Sequence, residues 1–222
     1  MNNLEEQIKI SRQIVLEMLS DRKYKVQHII PHIPEILFIK LWASFVNESN
    51  VFDFECENNI GDRVYVKYIH NHIKKKTNKN TTYINFNTLH EKIKNINDLL
   101  FNDTIIYIIC DTQYENLDEN KKLIEFKKNK NVEIFDIQRL LFNVTKHIFV
   151  PKHEKISILD IKILQQVLKI DSIYKLPAIM IHDPVAKYYN LKQGDVVKIT
   201  RYSKSSGKHI SYRVCIENEE ML

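Results

Sequence analysis

With 222 residues, 44% of them hydrophobic, the chain can fill one large core or two small ones. Its longest apolar runs fall far short of the roughly 20 residues that a membrane-spanning helix needs, so no membrane partner is expected. The opening MNNLEEQIK is polar and acidic and is expected to carry no secretory signal. Three scattered cysteines, Cys56, Cys110 and Cys215, fit a reducing compartment, so the N-x-S/T sequons read as accidents of an Asn-rich composition. The net charge of +5 is uneven: from His147 onward 12 Lys and Arg face 8 Asp and Glu, a balance that suits contact with nucleic acid or an acidic protein surface.

In chain order, Leu4 to Ser20 predicts an amphipathic helix. Leu4, Ile8, Ser11, Val15 and Met18 form its stripe, Ile14 and Leu19 widen it, and Asp21-Arg22-Lys23-Tyr24 closes it. A second helix starts at Pro34, a residue tolerated in the first turn, and carries Phe38, Leu41, Trp42 and Phe45 at helical spacing. Val51 to Cys56 and Arg63 to His70 alternate with period two and predict a hairpin across Asn58 to Asp62. The Lys-rich stretch Asn71 to Thr82 reads as a surface loop, in which Lys74, Lys75 and Lys76 are candidates to reach phosphate. Leu89, Ile93, Ile96 and Leu100 predict a helix. Thr104 to Cys110 predicts a central strand apolar on both faces, Leu117 to Lys128 a helix and Val132 to Phe135 a strand. Asp136 is placed to cap a further helix carrying Ile137, Leu140 and Leu141. This alternation predicts an α/β N-terminal domain with a mixed, partly parallel sheet over residues 1–146.

A second domain, 147–222, is predicted as a small α+β module. Ser157-Ile158-Leu159-Asp160 opens a helix, with Ser157 as cap and Ile161, Leu164 and Leu168 as the expected buried stripe. Pro177 confines the run Leu176 to Ile181 to an edge. Asp183-Pro184 opens a short helix that Asn190 closes in the left-handed conformation, and Lys192 to Asp195 makes a turn. Val196 to Tyr202 and the alternating Ile210, Tyr212 and Val214 predict two strands around a flexible connection, Ser203 to Lys208. Each is expected to give one face to a core and one to water or a partner.

Chemistry is scarcer. The cysteines are isolated and His70-x-His72 is poorly spaced for a metal, so no metal and no cofactor are expected. His153 and His182 lack a nucleophile in a recognisable motif. An enzymatic alternative is a metal-dependent nuclease built on Asp53, Glu55 and Glu57 with Lys67, but Tyr65 stands where a second-strand carboxylate would be needed. A free-standing nucleic-acid-binding protein is the other alternative.

One group of residues does carry a family likeness. Val150-Pro151-Lys152-His153, Leu176-Pro177, Asp183-Pro184-Val185-Ala186-Lys187-Tyr188-Tyr189, Gly194, Val196-Val197-Lys198-Ile199, Arg201, Ser203, Gly207 and Ile210-Ser211-Tyr212-Arg213 resemble the C-terminal assembly domain of the fifth common subunit of eukaryotic RNA polymerases, a domain with a counterpart in the archaeal enzyme. The helix ending SRQIVLEMLSDRKY is similar to the start of that family's N-terminal jaw. His182 and Asn190 depart from the usual Gly, Tyr202 from Pro and Lys204 from Glu. The resemblance implies a non-catalytic subunit that docks on the largest polymerase subunit, among the other subunits, with its jaw beside downstream double-stranded DNA. It implies that His153, Asp183, Pro184, Lys187, Tyr188, Lys198, Arg201, Tyr212 and Arg213 belong to the partner interface, with Tyr189 as a further anchor. The family's Thr-Pro-Ser-Ala loop near DNA is reduced here to Asp111-Thr112-Gln113-Tyr114-Glu115, which leaves Thr112 and Gln113 as DNA-proximal candidates. The divergent first half and the Asn/Lys/Ile-rich composition point to the polymerase of a large DNA virus, hence host cytoplasm or virion, or the nucleus if the chain is cellular.

Overall fold

A computed structural model describes residues 4–30, 32–46, 51–69, 103–110, 131–203 and 207–217. The loop expected at Asn71 to Thr82 and the helices expected over 89–100 and 117–128 lie outside these residues. Residue contacts divide the chain into two units, Met1–Phe142 and Asn143–Leu222. The division precedes the 146–147 boundary read from the sequence because Asn143 works for the second unit: its side chain caps the turn that follows and donates to the Tyr188 hydroxyl.

In the first unit, helix α1 (Leu4–Asp21) buries Ile8, Ser11, Val15, Met18 and Leu19 as its periodicity predicts, with Leu16 inside and Ile14 only half-buried. The Asp21-Arg22-Lys23-Tyr24 ending ties the helix down. Arg22 forks onto the Glu133 carboxylate with two 2.8 Å hydrogen bonds, Lys23 turns left-handed at φ 72°, and Tyr24 bridges to Asn58. Helix α2 (Glu35–Val46) buries Phe38 and Phe45, whose rings pack 5.3 and 5.0 Å from that of Phe52. Strands β1 (Phe54–Glu57), β2 (Arg63–Ile69), β3 (Thr104–Ile109) and β4 (Val132–Asp136) form a mixed sheet in the order β1-β2-β3-β4. The first pair is antiparallel and the others parallel. Every residue of β3 is buried, as its unbroken apolar run requires. The helix expected after Asp136 is a single 3-10 turn, Ile137–Leu140. Asp136 does cap it, accepting from the Gln138 amide at 2.8 Å, but Leu141 is only half-buried.

In the second unit, β5 (Lys152–Lys155), β6 (Ala178–Met180), β7 (Val196–Ser203) and β8 (Gly207–Ile216) form a sheet in the order β5-β7-β8-β6. Helix α3 is Ile158–Leu168 and α4 is Pro184–Tyr188. β6 is an edge strand, as Pro177 requires, and runs parallel to β8. The sheet has two apolar faces. Ala186 of α4 and Leu191 pack on one with Ile179, Val197, Ile199 and Cys215, while Leu164 of α3 and Leu176 pack on the other with Val196, Val214 and Ile216. The expectation that β7 and β8 each turn one face outward is therefore corrected over their inner halves. Only the outer part of the hairpin, Arg201 and Tyr202 with residues 207–210, is exposed on both sides. The buried stripe expected on α3 is also corrected: Leu164 is buried, Ile161 half-buried, and Leu168 lies in the open.

Candidate partner interface

Six of the nine residues singled out for the interface, His153, Asp183, Pro184, Lys187, Arg201 and Arg213, gather on α4 and the sheet face it covers. Asp183 caps α4 by accepting from the Val185 amide at 2.7 Å, and Pro184 occupies the exposed first helical position. The Lys187 amide closes the first turn onto the Asp183 carbonyl at 2.9 Å. Asn190 ends the helix at φ 50°, the left-handed conformation for which glycine is the usual choice.

His153 on β5 stands opposite Ile199 on β7, and Arg213 on β8 stands opposite Val197. Residues paired in antiparallel register share a face, so His153, Arg201 and Arg213 line up on the α4 side. The His153 Nδ1–H donates to the Pro151 carbonyl at 2.7 Å. Burial pushes the imidazole pKa below its ordinary value. The Pro151 bond and the Asp183 charge act in the opposite direction, and the Arg201 and Arg213 charges reinforce the lowering, so His153 is neutral at pH 7. Arg213 is half-buried and donates from Nη1 to the Ala178 carbonyl at 3.1 Å, fastening β8 to the edge strand.

The sheet separates the remaining candidates from this group. Lys198 stands opposite Tyr212 and Glu154, one residue out of phase with His153 and Arg213, which puts it on the α3 side, where Tyr212 packs against the Leu164 cluster. Tyr188 is corrected as a surface anchor. Its ring is only 4% exposed, its hydroxyl accepts from Asn143 Nδ2 at 3.1 Å, and it packs edge-on to Tyr189 with centroids 5.1 Å apart. Thr112, Gln113, Lys74, Lys75 and Lys76 lie outside the described residues.

Sequence reasoning missed a groove of about 740 Å³ lined by residues 145–153, Tyr189 and 200–202. Ile148 and Phe149 on its wall are 88% and 86% exposed. Periodicity had nothing to flag in HIFVP, since both residues lie in a turn, and only the fold reveals which apolar side chains remain uncovered.

The carboxylates of the nuclease alternative do not converge. Asp53 accepts from the Tyr68 amide at 3.0 Å and stands 3.9 Å from Lys67 Nζ, while Glu55 and Glu57 are exposed. Burial raises the Asp53 carboxyl pKa to about 6 in spite of the Tyr68 and Lys67 contacts that lower it. Among the described residues no three His, Cys, Asp or Glu side chains gather as a metal site would require.

Comparison with known proteins bears on the second unit and on the chain as a whole. The family model "RNA polymerase Rpb5, C-terminal domain" matches residues 142–215. The Dictyostelium discoideum protein "DNA-directed RNA polymerases I, II, and III subunit rpabc1" is 31% identical over 216 residues, covering 92% of this chain and 95% of that protein. The Arabidopsis thaliana "DNA-directed RNA polymerases IV and V subunit 5B" is 36% identical over 118 residues, 52% of either chain.

Proposed function

Because this chain belongs to the Rpb5 family of RNA polymerase subunits, we propose that residues 147–222 act as an assembly module docking on the largest polymerase subunit, and that residues 1–146 form a jaw beside downstream duplex DNA. The chain is a non-catalytic component of a DNA-directed RNA polymerase, with other polymerase subunits as its partners. The observation that carries the docking reading is the coincidence of the family match at 142–215 with a separately packed unit that starts at Asn143. On the α4 side, Asp183, Pro184, Lys187, Arg201 and the neutral His153 supply directed hydrogen bonding and charge for a protein partner. On the α3 side, Lys198 and Tyr212 would meet a different part of the assembly.

Co-expression with the largest subunit tests this. The full chain is expected to co-elute with it through size exclusion, and a chain that never does so ends the docking reading. Photo-crosslinking from position 112 or 75 in the assembled polymerase to a downstream duplex tests the jaw. The compartment follows the enzyme: the nucleus if the polymerase is cellular, and host cytoplasm or virion if it is viral.

A further inference from the structure

The turn leading into β5 is held in shape by its own hydrogen bonds. The Thr145 amide and hydroxyl both donate to Asn143 Oδ1, at 2.9 and 2.7 Å, the Val150 amide donates to the His147 carbonyl at 2.9 Å, and the Phe149 amide meets His147 Nδ1 at 3.3 Å. A segment fixed in this way holds its apolar side chains out in water. Ile148 and Phe149 stand 88% and 86% exposed, and Tyr202 across the groove is 79% exposed. Burying such side chains removes apolar surface from water, which is favourable, so an uncovered group of this size marks a contact surface. Because the turn is already ordered, little further entropy is lost when a partner settles there.

Charge identifies the occupant. The thirteen described residues lining the groove include Lys146, Lys152 and Arg201 and no Asp or Glu. Outside the lining, Glu154 is exposed and paired with Lys152 at 2.7 Å, Asp183 is spent on capping α4 while its charge reaches His153, and Lys208 extends the basic character along the outer hairpin. A nucleic acid strand would favour a run of stacking rings beside a track of cations. Of the rings in the groove, His147 leans on Phe149 with centroids 5.7 Å apart, Tyr189 packs edge-on to Tyr188 and His153 is bonded to the Pro151 carbonyl. That leaves Phe149 and Tyr202 with the aliphatic Ile148 among separated cations, which matches a peptide with one large apolar side chain between acids.

We infer that the groove between the 145–153 turn and the outer β7–β8 hairpin binds an extended acidic segment of a partner protein, anchored by one apolar side chain against Ile148, Phe149 and Tyr202. The inference rests on the reading of this unit as a docking module and names the chemistry of what docks.

The test uses the full chain and a fluorescent dodecapeptide of Glu and Gly with a single central Phe, followed by anisotropy. The acidic peptide is expected to bind at least about tenfold more tightly than its Gln counterpart and to lose affinity as salt is raised. Arg201→Glu and Phe149→Ser, both at exposed positions and so expected to fold, should each weaken it about tenfold. Lys162→Ala on α3 should leave it unchanged. Equal binding of the Gln peptide, or full affinity in both groove variants, overturns the inference. So does displacement of the peptide by a single-stranded oligonucleotide whose own binding falls in the same two variants. Co-elution with the largest subunit is scored separately: its failure would leave the peptide result standing, and failure of the peptide arm would leave the docking reading standing.

Discussion

Asp53 shows how far a single side chain can depart from the role its type suggests. In the sequence it reads as one of three acids on a strand. In the fold it is a half-buried acceptor for the Tyr68 amide, with a carboxyl pKa raised to about 6. A folded-state value above the unfolded one means that the native protein holds this proton more tightly. The ionised form therefore destabilises the fold above about pH 6, and that penalty disappears as pH falls through 6 toward the ordinary carboxylate range. The penalty at neutral pH is on the order of 1 to 3 kcal/mol. Asp53→Asn keeps an acceptor for the amide and removes the charge. Urea unfolding at pH 8 should find it more stable than the parent, with the rise in parental stability between pH 7 and 4 flattened; a parental curve without that rise would refute the assignment. The same contrast between type and place separates Tyr188 from Tyr202. Neither composition nor spacing distinguishes them, yet one is sealed against Asn143 and the other stands in water.

Among the elements, those with a local cause were legible and those made by pairing were not. The α3 start is written in four residues. Asp160 N donates to Ser157 Oγ at 3.1 Å and Ser157 N reaches back to Asp160 Oδ2 at 3.3 Å, a reciprocal cap readable from Ser-x-x-Asp. Ser157→Ala should cost about 1 kcal/mol, measurable as a lower thermal midpoint that Ser157→Thr largely restores. The unbroken TIIYII of β3 was equally plain. By contrast β5, Lys-His-Glu-Lys, has no apolar alternation and is a strand because β7 offers it an edge, with Lys152 against Thr200 and Lys155 against Val197. Exposure was hardest to foresee. Ile163, Val167 and Leu168 on α3 share the chemistry of Leu164 and differ only in what lies opposite them.

At the scale of the chain, the sequence allowed two domains and the contacts form two units, each with its own four-stranded sheet. The single tryptophan, Trp42, sits in the first unit beside Phe38 and Phe45, so its fluorescence reports that unit alone. Removing Glu133 from the Arg22–Glu133 pair, whose side chains are 7% and 11% exposed, takes a two-pronged carboxylate away from a largely buried guanidinium. Glu133→Ala is therefore expected to cost about 3 kcal/mol. The Trp42 transition should move to lower urea, while hydrogen exchange at Val197, Ile199 and Cys215 stays at parental rates. Loss of protection at those amides would mean that the two units unfold as one.

The strand order β5-β7-β8-β6 carries a consequence for biosynthesis. β6 has β8 as its sheet neighbour, and β8 comes after all the other strands of its sheet in the chain. While a ribosome is still adding residues 207–216, the earlier strand at 178–180 has nothing to pair with, so this module closes late rather than as it emerges. A stop codon shortly before Gly207 would strip out an interior strand and leave a fragment for the cell's proteases.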